Sequence, residues 1–139
     1  MVSPPKWPLV CMLAFALALT GGCSAPQAVP QPQFKPLPPP GQQWGNPDYT
    51  TILGPVTGAG PRTFIISARP GIAATLSCIG KGLVWLRSPV GSFAAACGDG
   101  STFAAGLTQP THVRPGQKVT VRVLAPAATR WELRIDGTP

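Results

Sequence analysis

The chain has 139 residues, with 11 Lys plus Arg against 4 Asp plus Glu, 19 Pro and 16 Gly. That length holds one domain of ordinary size. Charged residues make up only 11%, and with so much Pro and Gly the composition argues against coiled coils and helical bundles.

Met1 to Pro8 carries Lys6, and from Trp7 to Gly22 there is no charged side chain, with Leu9 to Leu19 an apolar run at its centre. This is the layout of a bacterial secretory signal over residues 1–22, too short for a comfortable membrane span of about 20 residues. Leu19-Thr20-Gly21-Gly22-Cys23 then resembles a lipobox, in which small residues precede a cysteine that receives a diacylglycerol. Thr20 stands where Leu is usual. Ordinary cleavage at a small-x-small site is the alternative, and it is obstructed because Pro26 follows Ala25 and lies two residues before Ala28. Lipidation of Cys23 with several acyl chains implies firm membrane attachment by a tether.

Residues 23–48 form the next segment. Eight prolines, at 26, 30, 32, 36, 38, 39, 40 and 47, are interspersed with Gln and few large apolar side chains. Such a stretch buries too little surface to offset its chain entropy and reads as a disordered, polyproline-like spacer.

From Tyr49 onward, residues 49–139 read as one all-β domain. Expected strands are Thr63–Ser67, Ala74–Cys78, Leu83–Arg87, Ser92–Ala96, Lys118–Leu124 and Arg130–Ile135, with Thr102–Ala104 a weaker addition. The last two main strands alternate strictly. Val119, Val121 and Val123 oppose Lys118, Thr120 and Arg122, and Trp131, Leu133 and Ile135 oppose Arg130, Glu132 and Arg134. Period-two alternation marks strands with one buried and one wet face. Gly80-Lys81-Gly82 reads as a hairpin loop, and Arg114-Pro115-Gly116-Gln117 as a type II turn. Short strands at this spacing predict a small antiparallel β-sandwich of about 6–8 strands.

Four cysteines divide by position. Cys11 lies in the apolar run and Cys23 is the lipidation candidate, which leaves Cys78 and Cys97 for an exported domain. In an oxidising compartment these predict a disulfide closing a loop of about 20 residues. There is no Cys-x-x-Cys pair, and His112 is the one histidine of the chain, so neither a metal site nor a cofactor is expected.

Catalytic chemistry is sparse. The acids are Asp48, Asp99, Glu132 and Asp136, and neither a nucleophile elbow nor a Ser-x-x-Lys box occurs. A small secreted hydrolase would require a pocket joining His112 to Asp99 or another acid. Binding is the better expectation. Lys118, Arg122, Arg130 and Arg134 occupy outward positions of the last two strands and, were those strands neighbours, would form a basic face. Such a face draws anionic lipid or a cell-wall polymer, with nucleic acid not expected; alternatively the same residues merely solvate an open sheet. Trp85 is the candidate aromatic contact for a carbohydrate-binding module, if it is exposed.

Taken together, the lipobox, the Pro-rich spacer, Ser77-Cys78-Ile79-Gly80-Lys81-Gly82, Cys97, Val119 to Pro126 and Trp131 to Ile135 resemble small secreted lipoproteins of high-GC Gram-positive bacteria. The resemblance implies a β-sandwich at the outer face of the cytoplasmic membrane and brings no catalytic residue. The expected protein is a membrane-tethered, non-enzymatic binding or accessory module.

Overall fold

The computed structural model describes residues 27–107 and 112–139. The expected signal segment, Cys11 and the lipidation candidate Cys23 lie outside the described residues. Eight strands follow a short 3-10 turn at Gln42–Trp44: β1 (Thr50–Ala59), β2 (Arg62–Ser67), β3 (Ile72–Ile79), β4 (Leu83–Ser88), β5 (Gly91–Ala96), β6 (Asp99–Leu107), β7 (Lys118–Leu124) and β8 (Arg130–Gly137). They build two antiparallel four-stranded sheets, ordered β1-β8-β3-β6 and β2-β7-β4-β5. Among the described residues no helix is long and apolar enough to cross a membrane.

The alternation seen in the sequence builds the core. Val119, Val121 and Val123 of β7 and Trp131, Leu133 and Ile135 of β8 are all buried, joined by Leu76, Val84 and Leu86. Side chains of both sheets meet in this one cluster. Packed against it, the ring of half-buried Phe64 on β2 meets that of Trp131 on β8 edge-on at 6.1 Å. The Trp131 indole N–H donates to the Gly60 carbonyl at 2.8 Å, which satisfies the one polar atom of a fully buried side chain.

The connections depart from the sequence expectation in one respect. Gly80-Lys81-Gly82 is not a hairpin loop, because β3 and β4 belong to different sheets. The glycines take positive φ, 128° and 93°, to carry the chain from one layer to the other. The local hairpin is instead β4–β5, where Ser88 pairs with Gly91 around Pro89-Val90. The turn at Arg114–Gln117 forms as expected: the Gln117 amide donates to the Arg114 carbonyl at 3.0 Å and Gly116 has φ 84°, the positive value that position i+2 of a type II turn demands.

The disulfide between Cys78 and Cys97 is present, with Cα atoms 5.1 Å apart. Cys78 sits on β3 of one sheet and Cys97 just past β5 of the other. The bridge therefore staples the two layers where both crossovers leave them.

The Pro-rich segment is not a free spacer along its whole length. From Gln31 it belongs to the same compact unit as the sandwich. The Pro32 carbonyl accepts from Arg130 Nη1 at 3.2 Å, the Arg130 guanidinium lies 5.3 Å from the Phe34 ring centroid, and Lys35 Nζ is 3.3 Å from Asp99 Oδ2. Arg130 is out of phase with core Trp131, so Pro32–Lys35 cross the outer face of the β1-β8-β3-β6 sheet as a strap.

Candidate ligand-binding face

The two sheets present opposite outer surfaces with different fates. On the β1-β8-β3-β6 side the outward positions Ala73, Thr75 and Ser77 of β3 and Arg134 and Asp136 of β8 are buried. On the β2-β7-β4-β5 side the outward positions stay open. Ile65, Leu83, Trp85 and Leu124 are exposed at 69%, 48%, 38% and 38%, unusual for side chains of this size gathered on one surface.

Register fixes what lies next to what. Trp85 pairs with Leu124 of β7 on one side and Ala94 of β5 on the other, and Arg87 pairs with Arg122 and with Ser92. Residues two apart on a strand share a face, so Leu83, Trp85 and Arg87 form one row along β4. The Arg87 guanidinium lies 5.1 Å from the Trp85 ring centroid, a cation–π contact. Lys118 donates from Nζ to Ser67 Oγ at 2.8 Å across the β2–β7 ladder. Arg87, Ser88, Pro89, Ser92, Thr120 and Arg122 line a shallow cavity of about 280 Å³.

The charge distribution is one-sided. Lys118, Arg87 and Arg122 stand on this face, whereas the four carboxylates of the chain lie elsewhere: Asp48 ahead of β1, Asp99 on β6, Glu132 and Asp136 on β8. Asp99 is already engaged. The Ser101 hydroxyl donates to it at 2.6 Å, Lys35 and the Ser101 amide add to that, and together they lower its pKa to about 2.

The expected four-residue basic face does not form. β7 and β8 lie in different sheets, so Lys118 and Arg122 are separated from Arg130 and Arg134 by the thickness of the sandwich. Arg130 holds the strap. Arg134 is buried, its Nε 2.9 Å from Asp136 Oδ2 with both side chains nearly inaccessible. The structure instead joins the two separate sequence candidates, the basic pair of β7 and the aromatic Trp85, on one surface. Arg87 was missed, although its place two residues after Trp85 in the same strand was the signal; its pairing with Arg122 could come only from knowing that β4 neighbours β7.

Among the described residues His112 and Asp99 are not brought together. Asp99 opens β6, while His112 follows its far end beside the Arg114–Gln117 turn, which is bonded to Ala68. The nine residues of β6 put on the order of 27 Å between its two ends. Among the described residues no three His, Cys, Asp or Glu side chains gather closely enough to hold a metal ion.

No protein-family model matches this chain, nor does any curated protein or solved structure.

Proposed function

We propose that this protein is an exported lipoprotein, tethered to the outer face of the cytoplasmic membrane through Cys23, that acts as a non-enzymatic binding module using the outer face of the β2-β7-β4-β5 sheet. The observation that carries the binding part is the open row of Leu83, Trp85 and Arg87 flanked by Leu124 and Arg122, on a sheet surface that stays open among the described residues. An aromatic and aliphatic platform beside guanidinium groups that make no ion pair among the described residues offers both desolvation and directed hydrogen bonding, the combination found at the anchors of binding surfaces. The tether rests on the lipobox-like Leu19 to Cys23 and the disulfide supports an oxidising compartment.

Each half has its own test. For the tether, wild type and Cys23→Ala are compared by membrane fractionation and intact mass; a lipid-sized mass increment and detergent-phase behaviour confined to wild type are expected, and a soluble, unmodified wild type would overturn it. For the face, the full-length protein in neutral detergent is sedimented with purified insoluble cell-wall sacculi of a high-GC Gram-positive bacterium. Wild type and Arg114→Ala, altered in an exposed turn, are expected in the pellet and Trp85→Ala in the supernatant. Equal pelleting of all three would overturn the face.

A further inference from the structure

The open face has two chemically distinct ends. Trp85, Leu83 and Leu124 form an apolar end, with Ala94 beside Trp85. Arg87 and Arg122 form a basic end, directly opposite each other in the ladder, over a shallow cavity that Ser88, Pro89, Ser92 and Thr120 also line. Like charges directly opposite each other weaken a strand pair, and no carboxylate on this sheet relieves the repulsion. An anion bridging the two guanidinium groups would do so.

The contact of Arg87 with Trp85 sharpens this. A guanidinium held over an aromatic ring by cation–π attraction still has N–H donors to offer a carboxylate or phosphate. The same arrangement pre-orders a long side chain, which lowers the entropy lost on binding. Strand rise places the Trp85 and Arg87 backbones about 7 Å apart, so an anionic group held by the arginines leaves its carrier lying over Trp85 and Leu124.

We propose that this face binds an anionic polysaccharide: Arg87 and Arg122 take carboxylate or phosphate groups of the chain, and Trp85 with Leu124 packs against the sugar rings between them. This rests on the reading of the face as the ligand-binding surface. The cavity is shallow and lies along an open sheet, which suits a polymer passing over the surface.

A membrane is the rival anionic surface, and the aromatic anchor disfavours it. Trp85 is itself nearly two-thirds covered by its neighbours, so little of it stands proud enough to enter a bilayer.

The test uses full-length protein in neutral detergent with four probes: polygalacturonate as a carboxylate polysaccharide, phosphomannan as a phosphate polysaccharide, dextran as a neutral polysaccharide, and mixed micelles with or without phosphatidylglycerol. Salt-sensitive binding to at least one polyanion is expected, falling at least tenfold in Arg87→Gln/Arg122→Gln and in Trp85→Ala, with no response to dextran or to phosphatidylglycerol. The arginine variant alters exposed side chains and should keep the wild-type thermal midpoint; Trp85→Ala loses covered aromatic surface and should lower the midpoint while leaving the domain folded at the assay temperature. Unchanged affinity in the arginine variant, or no binding to either polyanion, would overturn the proposal. Binding to dextran that Trp85→Ala abolishes would overturn it while leaving the face itself standing, and a response to phosphatidylglycerol alone would assign the face to lipid.

Discussion

Arg134 and Asp136, two residues apart on the outer side of β8, form an ion pair with Nε 2.9 Å from Oδ2 and both side chains nearly excluded from solvent. The second carboxylate oxygen accepts from Thr51 Oγ1 at 3.1 Å. Breaking a buried pair leaves a stranded charge, so Arg134→Met or Asp136→Leu alone should cost about 3–5 kcal/mol, whereas the double variant should be close to wild type. Urea denaturation of the four proteins measures both. Equal losses in the single and double variants would show that the pair itself, and not the stranded charge, sets the energy.

Trp131 makes the core intolerant of two further changes. Trp131→Phe removes the N–H that satisfies the Gly60 carbonyl and should cost about 1–3 kcal/mol for the stranded acceptor and the lost volume. Gly58→Ala should also destabilise, since a Cβ there would lie 2.5 Å from Trp131 Cζ2, a distance only repacking relieves. Thermal unfolding checks each, and a neutral Gly58→Ala would mean that the ring moves aside freely.

Removing the bridge by Cys78→Ala/Cys97→Ala restores a free loop across a sequence separation of 19. The loss should be about 3 kcal/mol, equivalent to a fall in melting temperature on the order of 15 °C for a domain of this size. Differential scanning calorimetry tells; a drop of a degree or two would mean that the crossovers hold without it.

Asp99 should titrate by carboxyl NMR with a midpoint near 2, below the ordinary 3.8. Its folded-state value is depressed, so whatever it contributes to stability is in place above about pH 4 and is lost as pH falls toward 2. Ser101→Ala, which removes the leading donor, and Lys35→Ala should each raise the midpoint toward the ordinary value. An unchanged midpoint in Lys35→Ala would mean that the strap's lysine does not reach the carboxylate in solution.

What could be read from the residues follows from how local each signal is. β7 and β8 alternate without interruption, and the structure starts both at the residue expected. β1 went unseen because Gly54, Pro55 and Gly58 break any pattern; Pro lacks a donor and is tolerated only because β1 lies at a sheet edge, with register shifts on either side of Leu53. Gly80-Lys81-Gly82 has the same local chemistry in a hairpin or a crossover, and only packing across the core decides between them. Arg134 looked wet because alternation says which side a residue takes, not whether that side is later covered. Trp85 could be flagged from its strand, but its joining to Arg122 through Arg87 is a property of strand order, which no local pattern encodes.

The central claim is that ligand contact is confined to the open face. Arginine modification by a dicarbonyl reagent, read by mass spectrometry with and without cell-wall sacculi, addresses it directly. Protection of Arg87 and Arg122 with Arg114 and Arg130 unchanged is the predicted result. Protection of Arg130 with none at Arg87 or Arg122 would contradict the account and move the binding surface to the strapped sheet.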